Sequence, residues 1–286
     1  MVQFSDFYKS GRTVFSVEIF PPKTEHGVAA LFAELAALKA IQLAFVSVTY
    51  GAMGATRELT KDLAIRIKRE LGLVPAFHFT CVGSGQHDIE NYVTDLAREG
   101  IDLVVALRGD KPASVDNTVF PADGFHFASE LVSFLKTLHP FSMAVAGYPE
   151  KHPEAVSFDA DLQNLKRKVE AGADVVITQL FFDNADYYFF VEKARSLGIR
   201  VPIIPGILPI QNLKQVQKIT GLCGAKLPLP LQQKLEACLG DETAMRAVGI
   251  EHSTKQCRDL IQNDVPGIHF YALNKAYSVL QIVDAL

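Results

Sequence analysis

Short runs of β-branched and aromatic residues alternate with stretches of helical apolar spacing along almost the whole chain, and this alternation restricts the fold more than any other feature. The runs predict strands at Val14–Ile19, Phe45–Thr49, Ala76–Cys81, Leu103–Leu107, Ser142–Gly147, Val175–Leu180, Val201–Ile207 and Ile268–Leu273. Helical spacing lies between them, near Ala29–Ile41, Leu59–Leu71, Ile89–Arg98, Ala128–Leu138, Ala160–Ala171, Ala185–Leu197 and Leu213–Thr220, with a last helix from Asn274. The strands are apolar nearly throughout, as strands covered on both faces must be, and that favours parallel pairing. Eight βα units in 286 residues predict an α/β fold of the (β/α)8 TIM barrel type, with an open doubly wound sheet as the alternative. The long interval before the last strand predicts extra helices at Leu229–Leu239 and Glu242–Gln262. With no linker and no fixed-period repeat, residues 1–286 read as a single domain.

Composition narrows the function classes. Hydrophobic residues make up 49% and charged residues 21%, enough to bury a large core. A net charge of −4 and a pI near 6.1 argue against a polyanion partner, while leaving room for a local basic patch around one small anion. Cys81, Cys223, Cys238 and Cys257 form no Cys-x-x-Cys pair, so idle thiols are expected and no metal site. Glu34, Lys39 and Gln42 interrupt the most apolar segment, and the N-terminus shows no basic-then-apolar leader. A cytoplasmic protein is expected, free of nucleic-acid and membrane partners and acting on a small molecule as a homo-oligomer.

In such a barrel the chemistry sits at the C-terminal ends of the strands and in the loops behind them. Those positions hold Glu18, Thr49-Tyr50, His78, Arg108-Gly109-Asp110, Tyr148 through His152, Gln179, Tyr271 and Asn274-Lys275. Glu18 reads either as a surface carboxylate at a strand end or as a functional group, since its neighbours Val17, Ile19 and Phe20 suggest burial and buried unpaired carboxylates are rare. Gln179 interrupts an apolar strand, where its amide must find partners. Taken alone, His78 reads more readily as a hydrogen-bonded core histidine than as a ligand, Asp110 as a turn residue and Arg108 as half of a rim ion pair. Helical spacing puts Asp161, Asn164 and Lys168 on one face with Arg167 beside them, which suits a pyrophosphate and ribose or, alternatively, a solvated face. Phosphate-loop, nucleophile-elbow and His-Glu-x-x-His motifs are missing, and Gly83-Ser84-Gly85 lacks the third glycine of a dinucleotide fingerprint.

Taken together, the strings Val-Glu-Ile-Phe-Pro-Pro-Lys at 17–23, Phe-Val-Ser-Val-Thr-Tyr-Gly-Ala at 45–52, Ala-Leu-Arg-Gly-Asp at 106–110, Tyr-Pro-Glu-Lys-His-Pro-Glu at 148–154, Asp-Leu-Gln-Asn-Leu-Lys-Arg-Lys at 161–168, Ile-Thr-Gln-Leu-Phe-Phe-Asp at 177–183, Pro-Gly-Ile-Leu-Pro at 205–209 and His-Phe-Tyr-Ala-Leu-Asn-Lys at 269–275 resemble the methylenetetrahydrofolate reductase family. The resemblance implies a barrel that holds FAD at its mouth and reduces 5,10-methylenetetrahydrofolate with NADH or NADPH by ping-pong hydride transfer. Carried over by position, it implies FAD contacts from Thr49, Tyr50, Ala52, His78, Arg108, Gly109, Asp110, Ala128, Tyr148, His152, Asp161, Asn164, Arg167 and Lys168. It likewise implies folate contacts from Gln179, Gln215 and Lys275, with Gln179 also meeting the nicotinamide. Two positions depart from the family pattern. Ile219 stands where some members carry an aromatic that stacks on the bound ligands, and Lys275 stands where arginine is common, keeping the charge without the bidentate fork. Glu18 is the expected general acid toward folate N10, which requires burial to raise its pKa, and Asp110 is expected to remain ionised and stabilise the developing cation. A flavin barrel with another substrate and an inactive binding subunit are the competing readings.

Overall fold

The computed structural model describes residues 1–9, 11–50, 57–109 and 121–286. In chain order the elements are α1 (Phe4–Phe7), β1 (Val14–Ile19), α2 (Glu25–Leu38), β2 (Val46–Val48), α3 (Arg57–Leu71), β3 (Pro75–Thr80), α4 (Gln86–Arg98), β4 (Leu103–Leu107), α5 (Ala128–Leu138), β5 (Ser142–Gly147), α6 (Phe158–Glu170), β6 (Val175–Leu180), α7 (Asn184–Ser196), β7 (Ile203–Ile207), α8 (Leu213–Cys223), α9 (Leu229–Glu236), α10 (Glu242–Gln262), β8 (Gly267–Tyr271) and α11 (Tyr277–Asp284). The strands pair in parallel in sequence order, and β8 closes back on β1, so the sheet is a closed (β/α)8 barrel rather than an open doubly wound sheet.

Strand parity sorts the side chains into two layers. Outward residues such as Val17, Ile19, Val46, Val48, Phe77, Phe79, Val104, Val145, Val176, Ile203 and Phe270 pack with Leu35, Leu63, Leu96, Leu135 and Val279 from the surrounding helices. Inward residues differ around the barrel. Val105, Ala144, Val175, Ile177 and Ile204 form an apolar inner cluster, while Ser16, Ser47, His78 and His269 bring polar groups inside. The base of the barrel is closed by α1, whose Phe4 is fully buried against Phe45 at 5.0 Å between ring centroids. Its start and the residues just before it are held by Phe4 N–H donating to Ser142 Oγ at 3.0 Å and Val2 N–H donating to Asp102 Oδ2 at 3.3 Å. Burying one phenylalanine side chain contributes about 2 kcal/mol.

Several element ends differ from the sequence expectation for local reasons. β7 starts at Ile203 instead of Val201, since Pro202 has no N–H to give to the ladder. β8 stops at Tyr271 instead of Leu273, and α11 starts at Tyr277 instead of Asn274, because Leu273 (φ 51°) and Asn274 (φ 59°) turn left-handed between them. α2 begins at Glu25, four residues before Ala29, where the Thr24 hydroxyl caps it by accepting from Gly27 N–H. α8 runs on to Cys223 and ends at Gly224, whose φ of 78° needs glycine. The extra helices α9 and α10 lie between β7 and β8 as expected, and share a second apolar cluster with Leu180, Leu208, Leu213 and Val216 beside the barrel mouth. No helix among the described residues is long and apolar enough to cross a membrane.

Candidate active site

The inward polar residues of β1, β2, β3 and β8 make a buried column leading up to the mouth. Register pairs Ser16 with His269 and Glu18 with Tyr271 across the β1–β8 seam. At the lower level, Ser16 Oγ lies 2.7 Å from His269 Nδ1, and Ser47 Oγ lies 3.5 Å from the same ring's Nε2. Above them, His78 Nε2 approaches Glu18 Oε2 at 3.4 Å without forming a hydrogen bond, and has no hydrogen-bond partner among the described residues. Burial pushes the Glu18 carboxyl up to about 8 and the His78 imidazole down to about 3. At neutral pH the two are therefore a protonated acid beside a neutral ring, and the contact is no ion pair. Burial, together with the nearby His78, also lowers His269 to about 3. Glu18 keeps 23% of its side chain open to the cavity above, so the proton it holds can reach a ligand.

Gln179 owes its orientation to an irregularity in the sheet. Between Ile177 and Leu180 the β6–β7 register slips, because Ile177 faces Ile204 whereas Leu180 faces Gly206. This places an extra residue on β6, and such a bulge re-aims side chains. The freed polar groups are accounted for locally. Thr178 Oγ1 accepts from Gly206 N–H at 2.9 Å, the Thr178 carbonyl accepts from the Tyr271 hydroxyl at 2.6 Å, and Gln179 Oε1 accepts from Leu180 N–H at 2.9 Å. Only glycine fits at 206, since a Cβ there would stand 2.3 Å from the Thr178 oxygen and 2.7 Å from the Tyr271 ring.

A cavity of about 480 Å³ opens over this column, and Glu18, His78, Gln179 and Tyr271 lie along its wall. Ala128, Tyr148, His152 and Lys168 line another part of it. The α6 helix brings Lys168 there, with Nζ donating to the Ala146 carbonyl at 2.6 Å. Burial lowers its ammonium to about 8 against the opposing pull of Asp161. Asp161 in turn accepts from the His152 backbone N–H at 2.9 Å, which ties the loop after β5 to α6. Arg108 reaches the cavity from the end of β4 and forms a two-pronged pair with Glu154 at 2.7 and 2.8 Å. The cavity thus combines an acid on its floor, an amide on its wall and cationic groups toward its rim.

A profile of the family described as "Methylenetetrahydrofolate reductase" matches residues 3–286. The chain belongs to the methylenetetrahydrofolate reductase family. Its relatives include the probable methylenetetrahydrofolate reductase (NADH) of rice, 39% identical over 96% of this chain and 48% of that protein. The 5,10-methylenetetrahydrofolate reductase of Escherichia coli K12 is 38% identical over 93% of this chain and 88% of that protein. The chain thus spans about half the length of the plant relatives it matches. Among solved structures, a Clostridium thermocellum protein described as binding two copies of 5-methyl-5,6,7,8-tetrahydrofolic acid superposes with a TM-score of 0.65 at 12% identity, covering 99% of this chain and 97% of that one, which shows the shared fold.

Within the barrel, the structure gathers Glu18, Tyr50, His78, Arg108, Gly109, Ala128, Tyr148, His152, Lys168, Gln179 and Ile219 around one cavity. Other expected contacts stand back from it. Thr49 is held through its carbonyl by the Thr60 hydroxyl at 3.0 Å, and Asn164 and Arg167 are exposed and bonded to each other at 2.8 Å. Gln215 lies in a shallow surface depression on α8 that adjoins the cavity through Ile219. Lys275 pairs with Glu34 at 3.1 Å. Ala52 and Asp110 lie outside the described residues. Sequence reasoning missed Arg57, which donates to the Tyr50 hydroxyl and to Ser84 Oγ at 2.7 Å each and so fixes the Tyr50 wall of the cavity. It also missed the Ser16–His269–Ser47 cluster, although counting back two residues from Glu18 along an inward strand face points to Ser16.

Proposed function

We propose that this chain reduces 5,10-methylenetetrahydrofolate to 5-methyltetrahydrofolate with NADH or NADPH, using FAD held at the barrel mouth. The observation that carries the reading is Glu18 lining an open cavity in a setting whose burial raises its carboxyl to about 8. Family membership supplies the reaction, and the neighbouring fold that takes 5-methyl-5,6,7,8-tetrahydrofolic acid supports a reduced folate as the ligand class. The cavity also fits a flavin. His78 Nε2 is a buried polar atom awaiting a partner on the cavity wall, and Lys168 is a half-buried cation whose depressed pKa an incoming phosphate would restore. When bound, FAD supplies a hydride carrier that serves nicotinamide and folate in alternate turns.

The chain's own residues would divide the remaining work. Tyr50, His78, Arg108, Gly109, Ala128, Tyr148, His152 and Lys168 would hold the flavin, with Thr49, Ala52, Asp161, Asn164 and Arg167 completing its contacts. Glu18 would deliver its proton to folate N10, which opens the bridged ring to the N5 iminium cation that can accept hydride. Asp110 would stabilise that cation. Gln179, fixed by the bulge, would orient the exchanging ligand, and Gln215, Ile219 and Lys275 would border the part of it that extends over α8. The test is anaerobic stopped-flow on purified protein loaded with FAD. Each nicotinamide in turn should bleach the flavin, and methylenetetrahydrofolate should restore its colour. A protein that takes up no FAD on titration, or whose bleached form is not reoxidised by the folate, would overturn the reading.

A further inference from the structure

Among the described residues lining the cavity, Phe20 is the one that is exposed, with 45% of its surface open. A single exposed apolar ring is ordinary on a surface, but this one lines the cavity, where a flat ligand ring can lie against it. Its backbone is unusually constrained. Pro21 follows it and steers residue 20 toward extended conformations. Asn274 then clamps it from the far end of the sequence, because Phe20 N–H donates to Asn274 Oδ1 at 2.9 Å and Asn274 Nδ2 donates to the Phe20 carbonyl at 2.8 Å.

The clamp is itself built at a cost. Leu273 and Asn274 both sit at positive φ, 51° and 59°, a region that a leucine avoids. Leu273 also lines the cavity. The segment behind them is anchored by Glu34, which accepts from Ala276 N–H at 2.8 Å and pairs with Lys275 at 3.1 Å. Strain of this kind persists only where surrounding contacts hold it, and here those contacts converge on one exposed ring beside the cavity. Several other rings along the cavity already have ring partners. Tyr50 packs on Phe79, Tyr148 on His152 and His269 on Phe45, with centroid separations of 5.1, 4.6 and 5.6 Å. Ile219 offers no ring.

We propose that Phe20, held in place by Asn274, is the stacking face for the flat conjugated ring of the exchanging ligand. This makes Phe20 a determinant of ligand affinity and Asn274 its positioning residue. The inference rests on the proposed reductase reading for the identity of that ligand, which is either the reduced folate or the nicotinamide, and the experiment separates the two. A preorganised ring binds without first losing its freedom, so both the ring and the clamp should show in affinity.

The variants are Phe20→Leu, Phe20→Tyr and Asn274→Gly. Glycine accepts the left-handed backbone at 274 without strain, so that variant deletes the clamp while preserving the turn. Binding of 5-methyltetrahydrofolate and of NADH to the FAD-loaded protein is measured by calorimetry, alongside KM and kcat for each. For the ligand that stacks, Phe20→Leu should raise Kd and KM about five- to tenfold, with a smaller change in kcat. Phe20→Tyr should restore both to within about twofold, and Asn274→Gly should raise them about threefold. Melting temperatures near the parent's would show that all three are folded. Equal Kd values in the parent and Phe20→Leu for both ligands would overturn the proposal, as would failure of the tyrosine to rescue. A parent that binds 5-methyltetrahydrofolate in a Phe20-dependent way but transfers no hydride would overturn the reductase reading and leave the stacking face standing.

Discussion

Replacing Glu18 by Gln removes a proton and leaves size nearly unchanged, so it tests the buried acid by two independent routes. The first is stability. Burial moves the carboxyl from 4.5 to about 8, and at about 1.36 kcal/mol per pH unit the ionised form is disfavoured by an upper figure of about 5 kcal/mol. The sign follows from proton counting. Below pH 4.5 both folded and unfolded chains carry the proton, and the group has no effect. Between 4.5 and about 8 the unfolded chain has released a proton that the folded one retains, so the parent loses stability as pH rises. About 3 kcal/mol of that loss would have accrued by pH 7, reduced by water in the cavity. Glu18→Gln escapes it and should be the more stable protein at pH 8.5 by at least about 1 kcal/mol, or about 2 °C in Tm, while the two converge near pH 4.5. The second route is catalysis. Bleaching of the flavin by nicotinamide should stay within about threefold of the parent, whereas reoxidation by methylenetetrahydrofolate should fall at least about 10²-fold. In the parent, that folate-dependent step alone should decline above pH 8 or so. A stability difference that does not vary between pH 5 and 8.5 would refute the burial argument on the order assumed for it. Equal slowing of both half-reactions would refute the assignment of Glu18 as the acid.

Gly206→Ala should destabilise the fold by about 3 kcal/mol, seen as a lower urea midpoint, because the new methyl meets the Thr178 oxygen and the Tyr271 ring that hold the bulge. Asp161→Ala and Lys168→Ala should each weaken FAD binding by about 1.5–3 kcal/mol in fluorescence titration. In the parent, FAD affinity should fall as pH rises past about 8, where Lys168 loses its charge. Ile219→Phe should change the affinity for folate or nicotinamide by no more than about 1.5 kcal/mol, and a variant that loses FAD would show that position 219 is misplaced.

The barrel was legible because its strands are buried on both faces and therefore stand out as apolar runs, from Val14–Ile19 through Val175–Leu180. Strand ends were less legible where backbone conformation, rather than hydropathy, stops the ladder, as at Leu273 and Asn274. The four-residue α1 is too short to show periodicity and owes its position to bonds with Ser142 and Asp102, more than ninety residues away. At the site, Glu18 and Gln179 could be singled out since each puts a polar group among apolar neighbours. The bulge that turns Gln179 could not, because it depends on Gly206 and Tyr271 meeting Thr178 across two other strands. The Arg57 and Asn274 contacts were equally hidden, as nothing in the local sequence says which distant group a surface-type side chain will reach.

The α1 plug has a consequence for traffic through the barrel. With Phe4 and Phe45 packed below His269, the described residues close the polar column from beneath and leave it open at the mouth. Any proton that Glu18 hands to a ligand must be replaced by way of the mouth, the same opening that a bound ligand covers. Recharging the acid therefore has to wait for, or travel with, the departure of product, so that ligand exchange and proton exchange share one gate. A solvent-isotope effect on turnover that tracks product release would be the signature of that shared gate.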